Sequence, residues 1–272
     1  MPEGDTIFRA ARTLNRALAG QVVTKFETQL PQLARVDHDT PVAGRTVELV
    51  DATGKWMRMY FSGDLILLTH MRMNGSWHIY RPGEKWQRGR IQMRVAVYTE
   101  PFVAVAFQVP VAEFHTAASL ARHPSLRRLG PVVVEQEFDS GAGVAQLRSR
   151  PDLEVGVALL SQSLIAGLGN VFKSEICFVS RVHPFRTVGT LSIEELASLV
   201  NNARRLMSAN VTESARGGIR TTGRLNPAES LWVYHRRGEP CRVCGTPILA
   251  QKQGVDARTT FWCPKCQQAQ DP

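Results

Sequence analysis

Four cysteines near the C-terminus constrain this 272-residue chain more than any other feature. Cys241 and Cys244 form one C-x2-C pair, Cys263 and Cys266 a second, and eighteen residues separate the two. Paired thiolates at this separation match a tetrahedral zinc site whose four positions are all sulfur. Such a site is closed, so its Zn2+ is expected to be structural and to do no catalysis. A redox dithiol or a disulfide framework is the competing reading. Between the pairs, residues 248–253 and 258–262 read as two strands around Gly254, a hairpin supported by the metal, with Arg258 near its tip. A basic side chain on a rigid tip suits a phosphate, although an isolated exposed arginine is more often only solvated. The fifth cysteine, Cys177, lies in the apolar run Ile176-Cys177-Phe178-Val179 and is expected to pack as a small hydrophobe.

Charge points to the partner. The net charge is +9, and residues 201–272 hold 11 Lys/Arg against 5 Asp/Glu, most of the surplus. A basic bias of this kind favours an extended polyanion over a small acidic ligand. No run of about 18 apolar residues marks a membrane span, and no secretory signal precedes the first helix. Cysteines spaced for a metal suit a reducing compartment. The expected location is therefore cytoplasmic, with no membrane partner.

The first helix is expected from Asp5 to Ala19, where Ile7, Phe8, Ala11, Leu14 and Leu18 recur at helical spacing. Asp5 or Thr6 would cap its start and Gly20 its end. A helix so close to the N-terminus would hold Pro2 in place instead of leaving it to fray. Residues 21 to about 110 read as some seven short strands: 22–23, 46–50, 56–61, 65–69, 76–80, 91–98 and 102–107. Gly- and Asp-containing turns separate them, which suggests a β-sandwich or barrel. The basic, Pro- and Gly-punctuated stretch 115–135 reads as an interdomain connection after a first domain at 1–114. Helices are expected at 142–149, 153–163, 169–178 and 192–209, the last opened by the capping box Ser192-x-x-Glu195. Residues 136–233 then form a helical domain, with 210–233 looping out, and 234–272 a zinc finger. The fold class is α+β.

Two further stretches carry chemistry. Removal of Met1 would leave Pro2 as a secondary amine, which on attacking an electrophilic carbon forms a cationic iminium. Glu3 would set a carboxyl group beside it for proton transfer. An ordinary processed terminus is the plainer alternative for these residues alone. In the segment Ala166-Gly-Leu-Gly-Asn170, glycines precede a helix whose start, with Lys173 one turn on, would receive a phosphate.

Taken in order, the start Met-Pro-Glu-Gly, the Gly54-Lys55 hairpin, His70-x2-Met73-x-Gly75-Ser76, Ala166-Gly-Leu-Gly-Asn170 and the four-cysteine hairpin resemble the formamidopyrimidine-DNA glycosylase/endonuclease VIII family. The resemblance implies a base-excision enzyme with glycosylase and abasic-site lyase activities, acting as a monomer on damaged DNA. It implies an N-terminal β-sandwich with a leading helix, joined to a helical domain bearing a helix–two-turn–helix and a zinc finger. On that resemblance Pro2 is the nucleophile at C1′ and Glu3 protonates the sugar ring oxygen. Lys55, His70, Asn170 and Arg258 grip phosphates, and Met73, between Arg72 and Asn74 in a turn ended by Gly75, fills the space left by the extruded nucleotide. A wedge of this kind offsets part of the cost of unstacking.

The chain departs from the family pattern in three places. Asp5-Thr6 stands where Pro-Glu is usual, and Val132 stands where Asp commonly follows Leu129-Gly130-Pro131. No basic Arg-Arg-Phe-Gly loop occurs; the region reads Phe107-Gln-Val-Pro-Val-Ala-Glu-Phe114. These features are closer to the second, actinobacterial-type endonuclease VIII branch. They favour oxidised pyrimidines over 8-oxoguanine and leave single-stranded or bubble DNA open beside duplex. A DNA-binding zinc protein that has lost catalysis is the alternative from another class.

Overall fold

The structure, a computed structural model, describes residues 2–212 and 218–269. The expectations that fall on Met1, on 213–217 within the looping segment, and on 270–272 of the zinc finger lie outside the described residues. The chain divides into two compact units, Met1–Arg127 and Arg128–Pro272.

In the first unit, α1 (Gly4–Leu18) leads into two antiparallel four-stranded sheets. One sheet has the order β1 (Val23–Thr28), β6 (Met93–Thr99), β7 (Val103–Phe107), β5 (Ser76–Tyr80). The other runs β2 (Val47–Thr53), β3 (Trp56–Phe61), β4 (Leu65–His70), β8 (Val111–His115). Met57, Met59 and Phe61 alternate along β3 and meet Val95, Val97, Ala104 and Ala106 of the facing sheet in one core, so the unit is a β-sandwich. Residues 102–107 are apolar throughout because β7 is covered on both faces. Ala104 and Ala106 enter the shared core, while Val103, Val105 and Phe107 pack with Tyr80, Met93 and the partly buried Trp86.

Helix α1 buries Ile7, Ala11, Leu14 and Leu18 in the sandwich core, each larger side chain contributing about 1.5–3 kcal/mol. Asn15 Oδ1 accepts the Val50 N–H at 2.8 Å, and Gly20 N–H donates to Val47 O at 2.8 Å, which fastens the helix to β2. Gly20 follows the helix at φ +81°, a conformation suited to glycine. The start differs from expectation. Glu3 is the N-cap residue, and Asp5, fully buried inside the first turn, is no cap. Thr6 Oγ1 donates to its carboxylate at 3.3 Å and Arg9 Nη2 at 3.4 Å.

Further elements of this unit were not anticipated: α2 (Pro31–Asp39), β8, and the short helices α3 (Ala117–Leu120) and α4 (Pro124–Arg127). Residues 90–92 form a 3-10 turn ahead of β6 rather than strand.

The second unit holds α5 (Ser140–Arg148), α6 (Val155–Leu160), α7 (Asn170–Val179) and α8 (Ile193–Thr212) around one apolar core. Helix α6 stops well short of the expected residue 163: Ser161 leaves helical geometry at φ −70°, ψ 108°. The capping box of α8 forms as expected, with Ser192 N–H donating to Glu195 Oε2 at 2.9 Å and Glu195 N–H to Ser192 Oγ at 3.2 Å. Strands β9 (Leu249–Gln253) and β10 (Arg258–Trp262) make the terminal hairpin, with Arg258 opposite Gln253 at its closed end. No helix among the described residues is long and apolar enough to cross a membrane.

Candidate functional site

In the first unit the candidate residues stand on one hairpin turn, on the turn that carries the chain from β4 across to β5 of the other sheet, and at one helix start. Pro2 is half-buried and Glu3 fully buried immediately before α1. Glu3 O accepts the Ile7 N–H at 3.1 Å, so Glu3, directly after Pro2, is tied to the first turn of the helix. Lys55 occupies the two-residue turn between Thr53 and Trp56, where Gly54 takes φ +56°. The pairing of Trp56 with His70 brings that turn beside the end of β4.

His70 is organised in detail. Its ring meets Trp56 edge-on with centroids 4.8 Å apart. Its Nδ1 accepts the Arg72 N–H at 3.0 Å, so a neutral ring carries its hydrogen on Nε2. Burial, followed by the nearby charges of Arg72 and Lys55, pulls its pKa down to about 4. At neutral pH His70 is therefore an uncharged N–H donor in a cationic corner.

The turn after it is tight. Gly75 N–H donates to Met71 O at 2.9 Å, and a Cβ on Gly75 would fall 2.5 Å from that same oxygen. Arg72 adopts φ +51°. Met73 is 49% exposed at this turn, so it is not a core side chain. Arg72, Met73 and Asn74 line a cavity of about 310 Å³ together with Met71, Arg94, Gln108 and Pro110. Only Gln108-Val109-Pro110 separates β7 from β8, so no loop projects there.

In the second unit, Asn170 opens α7 and its Nδ2 donates to Thr259 O at 2.9 Å, next to Arg258 on β10. The glycine segment and the hairpin are thus brought together. Lys173 corrects the sequence reading. Instead of presenting its ammonium to a phosphate, it is fully buried, and Nζ donates to Thr260 Oγ1 at 2.6 Å. The next helical residues continue the pattern: Ser174 Oγ accepts the Phe261 N–H at 3.3 Å. Lys173 sits in the seam between α7 and the hairpin, where it supports the strand bearing Arg258.

Sequence reasoning missed Glu175. This fully buried carboxylate accepts the N–H groups of Trp232, Val233 and Tyr234 at 2.8, 2.9 and 2.8 Å, and the hydroxyl of Thr221. It pins residues 221–234 to α7. An acidic residue directly before the apolar run Ile176-Cys177-Phe178-Val179 was the available signal. Cys177 is buried as expected, and burial pushes its thiol up to about 12.

The four cysteine sulfurs lie within 4.8 Å of one another, with Cys241–Cys266 at 3.9 Å and Cys244–Cys263 at 3.4 Å. Zn–S bonds of about 2.3 Å put tetrahedral sulfurs about 3.8 Å apart, so the set fits. Hydrogen bonds from Thr246 bring Cys244 down to about 6, whereas burial and the neighbouring sulfurs raise Cys266. Such a crowd of thiols ionises together only around a cation, and Cys241, Cys244, Cys263 and Cys266 hold a structural zinc.

A helix-led β-sandwich, a helical unit and a four-thiolate hairpin in one chain define a nucleic-acid-binding protein of the DNA glycosylase class. Three family models match in order: the formamidopyrimidine-DNA glycosylase N-terminal domain at 1–110, its H2TH domain at 129–222, and the zinc finger found in FPG and IleRS at 238–269. The chain is 38% identical over 275 residues to the probable endonuclease 8 2 of Streptomyces coelicolor, covering 100% of this chain and 96% of that protein. It is 33% identical to the DNA-(apurinic or apyrimidinic site) lyase Nei2 of Mycolicibacterium smegmatis, over 99% of this chain and 100% of that one. The chain belongs to the formamidopyrimidine-DNA glycosylase/endonuclease VIII family. Its fold is also that of Lactococcus lactis Fpg solved with DNA containing an abasic site, at TM-score 0.82 and 22% identity over 98% of this chain and 100% of that one.

Proposed function

We propose that this protein is a bifunctional DNA glycosylase and abasic-site lyase of base-excision repair, acting on oxidised pyrimidines in damaged DNA. The observation that carries the reading is the corner at Lys55, His70 and Arg72. It combines cations with a neutral N–H donor beside an exposed Met73, as needed to hold a phosphate while a base leaves the stack. Relatives named endonuclease 8 2 and abasic-site lyase Nei2 support the same reading.

In the proposed reaction the Pro2 nitrogen attacks C1′ of the damaged nucleotide and the glycosidic bond breaks, with Glu3 protonating the sugar ring oxygen. Ring opening gives an iminium between Pro2 and C1′. That cation acidifies the C2′ hydrogen, whose loss expels the 3′ phosphate; a second elimination expels the 5′ phosphate. Lys55, His70, Asn170 and Arg258 hold the phosphates, while Met73 fills the vacated stack and its neighbours Arg72 and Asn74 contact the DNA beside it. The short turn at Gln108-Val109-Pro110 supports pyrimidine over purine lesions, because no basic loop is present to read the opposite base. The same feature supports activity on single-stranded or bubble DNA. The protein works as a monomer in the bacterial cytosol and nucleoid.

Borohydride trapping tests the reading. A covalent complex with abasic or lesion-bearing DNA is expected, and Pro2→Gly or a retained N-terminal tag should abolish it. A protein that shifts DNA in a gel yet traps nothing is a binder, and the enzyme assignment then fails. The Asp5-Thr6 departure favours that second reading, since the family's usual carboxylate at position 6 is replaced by a threonine.

A further inference from the structure

One group of side chains in the first unit has no part in the proposed reaction: Glu113 and His115 on β8, and His123 between α3 and α4. The backbone fixes all three. Residues 113 and 115 share a face of the strand. Thr116 and Ser119 form a reciprocal cap on α3, and Ala117 N–H donates to Asp64 Oδ1 at 2.7 Å. His123 N–H donates to Leu120 O at 2.9 Å, closing the turn that returns its ring to the strand.

Glu113 Oε2 lies 3.1 Å from His115 Nε2 and 3.5 Å from His123 Nε2, and the three donor atoms all fall within 4.8 Å of one another. Bonds of about 2.0–2.1 Å to a tetrahedral ion set N and O ligands about 3.3 Å apart, so the carboxylate-to-imidazole spacings already suit one. His115 Nδ1 is 3.0 Å from Ser119 Oγ, the kind of outer partner that orients a ligating imidazole. The His123 side chain is only 10% exposed, and its Nδ1 has no hydrogen-bond partner among the described residues. Its ring is wedged edge-on between His115 at 5.5 Å and Trp56 at 5.1 Å. Glu113 is 43% exposed, which gives an ion a path in from solvent.

We propose that Glu113, His115 and His123 bind one divalent late first-row transition ion of the zinc kind, separate from the four-cysteine site, with solvent completing its coordination. Two imidazoles and a carboxylate are the donor set of open zinc sites. A dication engages both imidazole nitrogens and the carboxylate at once. It would also tie β8 to the turn before α4. Trp56 packs on His123 and on His70, so an ion that holds the His123 ring braces the wall behind the phosphate corner.

The test uses the full chain carrying one zinc per chain on its cysteines, titrated calorimetrically with zinc chloride, with thermal unfolding followed in parallel. Wild type should take up a second equivalent and unfold at higher temperature as it does so. Glu113→Gln, His115→Asn and His123→Gln should each weaken that second equivalent about tenfold or more. The cysteine-bound zinc should be unchanged, as read by thiol-dependent metal release. Glu113→Gln, at a partly exposed position, keeps the test valid where a histidine variant misfolds. A wild-type chain that stays at one equivalent up to millimolar zinc overturns the proposal. So does a second equivalent that Glu113→Gln and His115→Asn bind as tightly as wild type.

Discussion

Trp56 and His70 face each other across the β3–β4 pair, their rings 4.8 Å apart and at 80°. The indole removes water from one side of the imidazole, while Lys55 and Arg72 add positive charge nearby. Both effects disfavour the imidazolium, so the ring at this corner stays neutral where histidine ordinarily begins to protonate.

That shift has a signed consequence for stability. The folded pKa of about 4 lies below the ordinary 6.5. Protons therefore bind the unfolded chain first, and His70's contribution is complete above about 6.5 and lost as pH falls toward 4. The thermal midpoint of His70→Gln should fall less over this interval than that of wild type. Parallel curves would show that the ring is not held neutral by its surroundings.

Arg258 and Lys173 should separate in salt dependence. Arg258→Ala is expected to reduce the slope of log affinity against log salt by about 1, the signature of one lost phosphate contact. Lys173→Met should lower affinity with its slope unchanged, because the buried ammonium is bonded to Thr260 rather than presented to solvent. An equal drop in slope for both variants would restore Lys173 as a direct grip.

Glu175→Ala strips the acceptor from three backbone N–H groups and the Thr221 hydroxyl. Each buried unsatisfied group costs about 1–3 kcal/mol. The contributions are not additive, and a net loss of about 3 kcal/mol or more in denaturant unfolding is expected. A change within about 0.5 kcal/mol would mean that water replaces the carboxylate there.

Gly75→Ala places a methyl 2.5 Å from the Met71 carbonyl. The turn must shift, and Met73 with it. Single-turnover base excision should slow at least tenfold while binding to undamaged DNA changes little, since the substitution touches no cation. Met73→Ala should show the same pattern without loss of thermal stability. Unchanged excision in both variants would remove the wedge from the reaction.

Patterning in the chain carried much of this architecture. Strands β3 and β5 fall at their expected ends, because their turns contain Gly54, Gly63 and Asp64 in positive φ or are closed by Gly75. Helix α2 was missed because only Leu33 of its nine residues is buried, which leaves almost no periodic signal. Strand β8 follows Pro110 and buries only Ala112, so it alternates too weakly to be seen.

The order of the motifs, the cysteine spacing and the capping residues of α8 are local properties, written in neighbouring side chains, and the amino-acid sequence by itself determines them. The burial of Asp5, the inward turn of Lys173, the grip of Glu175 and the neutrality of His70 belong to the tertiary structure. Each depends on groups far along the chain that exclude water from a charged side chain or supply its partner. Desolvation and pairing set whether a charge is presented or buried, and both are properties of packing rather than of residue type.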